Sequence, residues 1–146
     1  MKIGLSSDHG AFEYKEILKE MLKEEGHEVT DFGCCSTEAV DYTDTASAVA
    51  RSVASGENEK GIVMCGTGIG ASISANKIKG IRCALCSEPT SARLTREHND
   101  SNVLAMGQRM IGVEMMKDIV HAWLYTDFSN GERHKRRIDK IAELER

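Results

Sequence analysis

The sequence predicts an α/β fold: a three-layer α/β/α sandwich around a five-stranded parallel sheet. Three observations carry this. Short apolar runs of strand length alternate with helical patterns of ten or more residues along the whole chain. Parallel strands require long crossovers, and crossovers place helices on both faces of a sheet. No internal repeat, low-complexity tract or Pro/Ser-rich linker interrupts the alternation, and the single proline is Pro89. Residues 1–146 therefore read as one domain, long enough to bury about two thirds of the unfolded surface.

Taken in order, Lys2 to Leu5 reads as a short buried strand. Ala11 to Glu25 places Tyr14, Ile17, Leu18, Met21 and Leu22 on one helical face before Gly26 stops it. Glu28 to Phe32 makes a second strand, and Thr45 to Ala54 repeats the helical spacing through Val49, Ala50 and Val53 until Ser55-Gly56. Ile62 to Cys65, Ile81 to Cys86 and Val103 to Met106 are three further strands, followed by helix starts at Gly70, Glu88-Pro89 and Gly112. A last helix, Arg133 to Glu145, carries Ile138, Ile141 and Leu144.

Composition removes several function classes. Hydrophobic residues at 40% and charged residues at 29% describe an ordinary globular chain rather than a disordered one. Nineteen Lys and Arg against 23 Asp and Glu leave a formal charge of -4, so no positive field exists to hold a nucleic acid or an anionic membrane. The start, MKIGLSSDHG, has no apolar stretch of signal-peptide or membrane-span length, and a cytoplasmic protein is expected. Five cysteines, two of them adjacent, argue against a disulfide framework and for free thiols.

In sheets of this kind the reactive loops lie beyond the carboxyl ends of the strands. The third strand runs into Cys65-Gly66-Thr67-Gly68-Ile69-Gly70-Ala71. Glycines there let consecutive backbone N–H groups turn toward one point beside the positive end of a helix, a nest for a phosphate or an enediolate. Gly66, Gly68 and Ala71 also fit a dinucleotide fingerprint, with Glu88 placed for a ribose. That turn normally follows the first strand, and this one follows the third. A P-loop lacks its Gly-Lys-Ser/Thr, and a cysteine phosphatase loop lacks its arginine, because Ala71 stands six after Cys65.

Amide hydrogens and a helix start favour a thiolate at Cys65, which could act as a base; the alternative is a small core residue, the reading given to Cys34, Cys35, Cys83 and Cys86. Asp8-His9 leaves the first strand at the same edge, Asp8 being either a site carboxylate or a helix cap. His98 and Asn99 close a polar turn before the fifth strand, at the amino edge, and can meet Cys65 only through an irregular fold or a second subunit. Arg133 and Arg137, four apart on the last helix, repel by about 0.2–0.5 kcal/mol unless an anion sits between them. The competing account is a solvated face with Glu132–Arg136 and Lys135–Asp139 pairs. Arg109, past the fifth strand, is a third phosphate ligand or an exposed charge. His27, His121 and His134 show no metal-ligand spacing, and no metal is expected.

Together these residues resemble the ribose-5-phosphate isomerase B family, whose wider group includes galactose-6-phosphate isomerase subunits. The match runs from SSDHGAFEYKEIL through DFG, VDYTDTA, CGTGIGASISANKIKGIRCAL and SEPTSARLTREHNDSNVLAMGQR to GERHKRRIDKI. The resemblance implies a Rossmann-like sandwich and a metal-free, cofactor-free isomerase of ribose 5-phosphate and ribulose 5-phosphate. It also implies sites shared between the subunits of a homodimer or tetramer. Carried over by position, Cys65 is the base and Thr67 assists at the hydroxyls. Amides of Gly66, Gly68, Ile69 and Gly70 stabilise the enediolate, and His98 opens the furanose. Asp8, His9, Tyr42 and Asn99 contact the sugar or its phosphate, which Arg109, Arg133 and Arg137 clamp. Thr43 departs from the family's usual proline and bears on the rigidity of the Tyr42 loop. Relatives that use a carboxylate base carry it on the glycine loop, which has no acid here. Two rival readings remain: a hexose 6-phosphate isomerase, acting on allose or galactose 6-phosphate, and a non-catalytic nucleotide-binding module.

Overall fold

The structure, a computed structural model, describes residues 1–146. Five strands form one sheet: β1 Lys2–Ser7, β2 Glu28–Asp31, β3 Lys60–Cys65, β4 Cys83–Leu85 and β5 Val103–Gly107. Their order is β2-β1-β3-β5-β4 and every pairing is parallel. The crossovers are α1 Phe12–Glu24, α2 Tyr42–Ala54, α3 Ile69–Asn76 and α4 Pro89–Asn99, with α5 Val113–Leu124 and α6 Glu132–Glu143 following the last strand.

Alternation along the central strands divides the core in two. Ile3, Leu5, Ile62, Met64, Leu104 and Met106 face Leu18 and Leu22 of α1, Ala92 of α4 and Met116, Ile119, Val120 and Trp123 of α5. Val63, Val103 and Ala105 face the opposite way, against Val49, Ala50 and Val53 of α2 and Ala71 and Ala75 of α3. Because successive strand side chains point to opposite faces, one apolar run serves both layers, and the expected sandwich results. The edge strand β2 is tied down ionically: Lys15 of α1, 1% exposed, places Nζ 2.6 Å from Asp31 Oδ2, and Lys19 Nζ lies 3.0 Å from the same oxygen.

Most boundaries shift from expectation by one to three residues, and three of the shifts bear on the description. The fourth strand is Cys83–Leu85 rather than 81–86, because Arg82 N–H donates to the Asn102 side chain at 2.8 Å instead of joining the ladder. The second helix starts three residues early, at Tyr42, behind an extended Asp41. The last helix ends at Glu143 and buries no residue at all. The pairs expected on it, Glu132–Arg136 and Lys135–Asp139, do not close. The arginine–carboxylate pairs of this region lie on α4, Arg93–Glu97 at 2.9 Å and Arg96–Asp100 at 2.8 Å.

The strand order places a crevice. From β1 the chain moves outward to β2, whereas from β3 it crosses beyond β5 to β4, so the connections diverge at the carboxyl ends of β1 and β3. Ligands of open α/β sheets bind at such a switch point.

Candidate active site

Asp8 and Cys65 meet at this switch point. The Asp8 amide donates to the Met64 carbonyl at 3.2 Å, which sets the end of β1 beside the glycine loop after β3. A cleft of ≈ 510 Å³ opens there, lined by Asp8, His9, Gly10, Tyr42, Cys65, Gly66, Thr67, Ile69, Gly70, Ile73 and Arg109. Residues from four separate stretches of sequence therefore share one wall.

Each side chain is held by a local device. Asp8 is 7% exposed, and its Oδ1 accepts the Gly10 amide at 2.9 Å, so it caps the short 3-10 turn His9–Ala11 while still lining the cleft. His9 Nδ1 accepts the Val40 amide at 3.2 Å; a neutral ring so held carries its proton on Nε2. Thr67 Oγ1 accepts the Ile69 amide at 3.2 Å. The Tyr42 ring rests on Gly70, and a Cβ at that position would overlap it. Arg109 donates its amide to the Gly66 carbonyl at 2.9 Å and lays its side chain along the same residue.

The glycine loop is shaped around the sulfur. Gly68 takes φ +80, ahead of the first turn of α3, and turns its amide back to donate to Cys65 Sγ at 3.1 Å. The amides of Gly66, Thr67 and Gly70 have no acceptor within the protein. They form, with the start of α3, a concave set of donors suited to a negative oxygen. Cys65 is 4% exposed, with the remainder packed among Val63, Ala71 and Ala105, so the packing reading and the site reading describe the same residue. The other thiols differ. Burial pushes Cys83 up to about 12 and Cys86 up to about 11, which keeps both as thiols at neutral pH. Cys34 is buried as expected, but Cys35 is exposed rather than packed in the core, because it stands in the loop beyond the last ladder bonds of β2.

The remaining predicted residues gather elsewhere. His98 and Asn99 end α4, which returns from the carboxyl to the amino edge of the sheet. Gly61 and Cys65 pair with Val103 and Gly107, so the two levels are separated by roughly 13 Å along the strands at about 3.3 Å per residue. There the ring of His98 stacks on that of His134, with centroids 4.6 Å apart and planes inclined by 12°. Arg133 and Arg137 belong to the same cluster: burial first, then the charges of His98 and these two arginines, hold His134 below the usual histidine range. Asn99 lines a separate cavity of ≈ 560 Å³ with Ile141 and Leu144 of the α6 end. The predicted residues thus gather in two places, Cys65 and Arg109 at the carboxyl edge, and His98 with Arg133 and Arg137 at the amino edge.

Three residues beside the predicted ones have no site role in the sequence reading: Gly10 and Ile73 in the cleft, and His134, weighed there only as a metal ligand, against His98. Gly10 and Ile73 carry no chemical signature; the position of His134 between Arg133 and Arg137 was the one available signal. Glu88, the candidate ribose ligand of a dinucleotide site, is engaged otherwise. Its side chain bonds Ser91 Oγ, which with the Ser91 and Thr90 amides draws its carboxyl below the usual range, and it caps α4.

Comparison with known proteins shows the family of the chain. The family model described as Ribose/Galactose Isomerase matches residues 3–141. The chain is 49% identical over 144 residues to "Ribose-5-phosphate isomerase B" of Escherichia coli, covering 99% of this chain and 96% of that one. It is 51% identical over 146 residues to "Putative sugar phosphate isomerase YwlF" of Bacillus subtilis, covering 99% and 97%. The solved structure of Clostridium thermocellum Ribose-5-Phosphate Isomerase B superposes with a TM-score of 0.98 at 50% identity, covering 99% and 97%. With a matching model over nearly its whole length and relatives this similar from end to end, the chain belongs to the ribose/galactose isomerase family.

Proposed function

We propose that this protein is an aldose–ketose isomerase interconverting D-ribose 5-phosphate and D-ribulose 5-phosphate, at a site completed by a second copy of the chain. The observation that carries the reading is the seat of Cys65: its sulfur takes the Gly68 amide at 3.1 Å, beside unpartnered loop amides and in one cleft with Asp8, His9 and Arg109. A thiolate so placed removes the proton from C2 of the open-chain aldose and returns it to C1. The hydroxyl proton on O2 is lost and O1 gains one, so the exchange balances within the sugar. Negative charge grows on the enediolate oxygens between these steps, and loop amides aimed at that charge contribute about 3 kcal/mol each in comparable sites.

Thr67, Asp8, His9 and Tyr42 contact the hydroxyls, and Asn99 joins them from the second chain. Arg109 of one chain and Arg133 and Arg137 of the other hold the phosphate, and His98 opens the furanose. This assignment removes the wrong-edge problem, because two-fold pairing of chains can bring the amino-edge cluster of one to the cleft of the other. The rim supports it: Ile69, Ile73, Leu85 and Met110 are 50, 57, 44 and 61% exposed, an apolar border that a partner would cover. Five unpaired cysteines suit a reducing, cytoplasmic setting, and no helix is long and apolar enough to cross a membrane.

A second reading, a hexose 6-phosphate substrate, draws on the galactose branch of the matched family model. Specificity constants for ribose 5-phosphate, allose 6-phosphate and galactose 6-phosphate decide between them, and the proposal predicts the highest for ribose 5-phosphate. In the same assay Cys65→Ala and Cys65→Ser lose isomerisation by about 10³-fold or more, as removal of a central catalytic group does, with unchanged circular dichroism. Wild-type turnover by both variants would remove Cys65 as the base.

A further inference from the structure

The stacked rings of His98 and His134 do more than share a cluster. Along α6 only His134 and Ile138 are partly covered, while Arg133 and Arg137 are exposed. The ties flanking this helix are Ser129 N to Glu97 O at 3.3 Å and Gly80 N to Glu145 Oε2 at 2.8 Å. Gly131, at the helix entry, lies against His134, whose Cδ2 would stand 3.0 Å from a Cβ there. His134 is thus a point at which α6 meets α4. Burial first, and then the charges of His98, Arg133 and Arg137, disfavour a charge on His134.

Ring opening asks for a well-aimed imidazole. The C1–O4 bond breaks, C1=O forms, the O1 hydroxyl gives up its proton, and a proton is delivered to O4. One ring edge must reach both oxygens, and an imidazole turning freely about χ2 does so only part of the time. We propose that His134 is a positioning residue for this step: its ring face fixes the plane of His98 and, through the same contact, sets the spacing from His98 to Arg133 and Arg137. The inference rests on the reading of His98 as the ring-opening group.

Two readouts separate the steps. Net turnover of ribose 5-phosphate requires ring opening, whereas deuterium uptake at C1 of ribulose 5-phosphate in D2O starts from an acyclic ketose and reports only the Cys65 step. His134→Ala is expected to lower ribose 5-phosphate turnover about 10- to 100-fold, the scale of a misplaced catalytic group. Deuterium uptake should stay within about threefold of wild type, which also shows that the variant is folded. His134→Phe, which keeps a flat ring but no titratable nitrogen, restores most of the turnover. Cys65→Ala loses both readouts and His98→Ala loses turnover alone. Wild-type turnover in His134→Ala overturns the proposal. So does equal loss in the alanine and phenylalanine variants with a raised KM, since His134 would then touch the phosphate itself. A parallel fall of deuterium uptake in His134→Ala would instead make the residue a general support of the site. Normal turnover in His98→Ala would remove the underlying reading, whatever the His134 variants do.

Discussion

The sulfur of Cys65 differs from those of the other four cysteines because of what surrounds it. Cys83 and Cys86 are held as thiols by burial, whereas the Cys65 sulfur accepts a backbone N–H at 3.1 Å in the loop that opens α3. That distinction was partly legible in the sequence: a cysteine at a strand end before glycines stands out, while the exposure of Cys35 could not be read from an adjacent pair. Asp31 makes a second residue-scale case. Burial opposes its charge, but bonds from Lys15, the Gly33 amide and Lys19 outweigh it and draw the carboxyl below the ordinary range. A group lowered in the folded state adds stability above its unfolded pKa of about 3.9, and that stability is lost as the pH falls through the folded value. Asp31→Asn should therefore be less stable than the parent at neutral pH and show a flatter loss on acidification in urea unfolding from pH 7 to 3. Parallel pH curves for the two proteins would refute the coupling of Asp31 to the lysines.

At the scale of elements, the loop from Gly66 to Gly70 and the start of α2 behave as one piece. Tyr42 begins α2 and lays its ring on Gly70, which joins the two segments across the cleft. Gly70→Ala drives a methyl into that ring, and overpacking of this kind costs about 1–3 kcal/mol. The predicted outcome is a lower urea midpoint together with at least about a tenfold loss in kcat/KM, since the loop amides move with the helix start. Unchanged kinetics would mean that the Tyr42 ring and the loop are independent. The strands and helices were legible because period-2 and period-3.6 patterns reflect burial directly. Their ends were less so: the length of β4 depends on the bond from Arg82 N to the Asn102 side chain, a contact twenty residues apart that no local pattern contains. The His98–His134 stack was illegible for the same reason.

At the scale of the molecule, the residues proposed for the site fall into two groups at opposite edges of the chain's own sheet. Cys65 and Arg109 line the carboxyl-edge cleft, and His98 sits with α6 at the amino edge. A helix without a single buried residue, with Ile141 and Leu144 39 and 84% exposed at its end, gains little from facing water and much from a neighbour. Alternation of strands and helices made the sandwich legible in the sequence; the proposal of a two-chain site rests on the position of His98 at the amino edge. The direct test mixes Cys65→Ala and His98→Asn subunits, each inactive alone, by unfolding and refolding them together. If sites are shared, each mixed dimer holds one site with both changes and one with neither. Equal mixing should then recover about one quarter of wild-type ribose 5-phosphate turnover, in proportion to the mixed dimers formed. Mixed dimers that form yet stay inactive would contradict a site built from two chains.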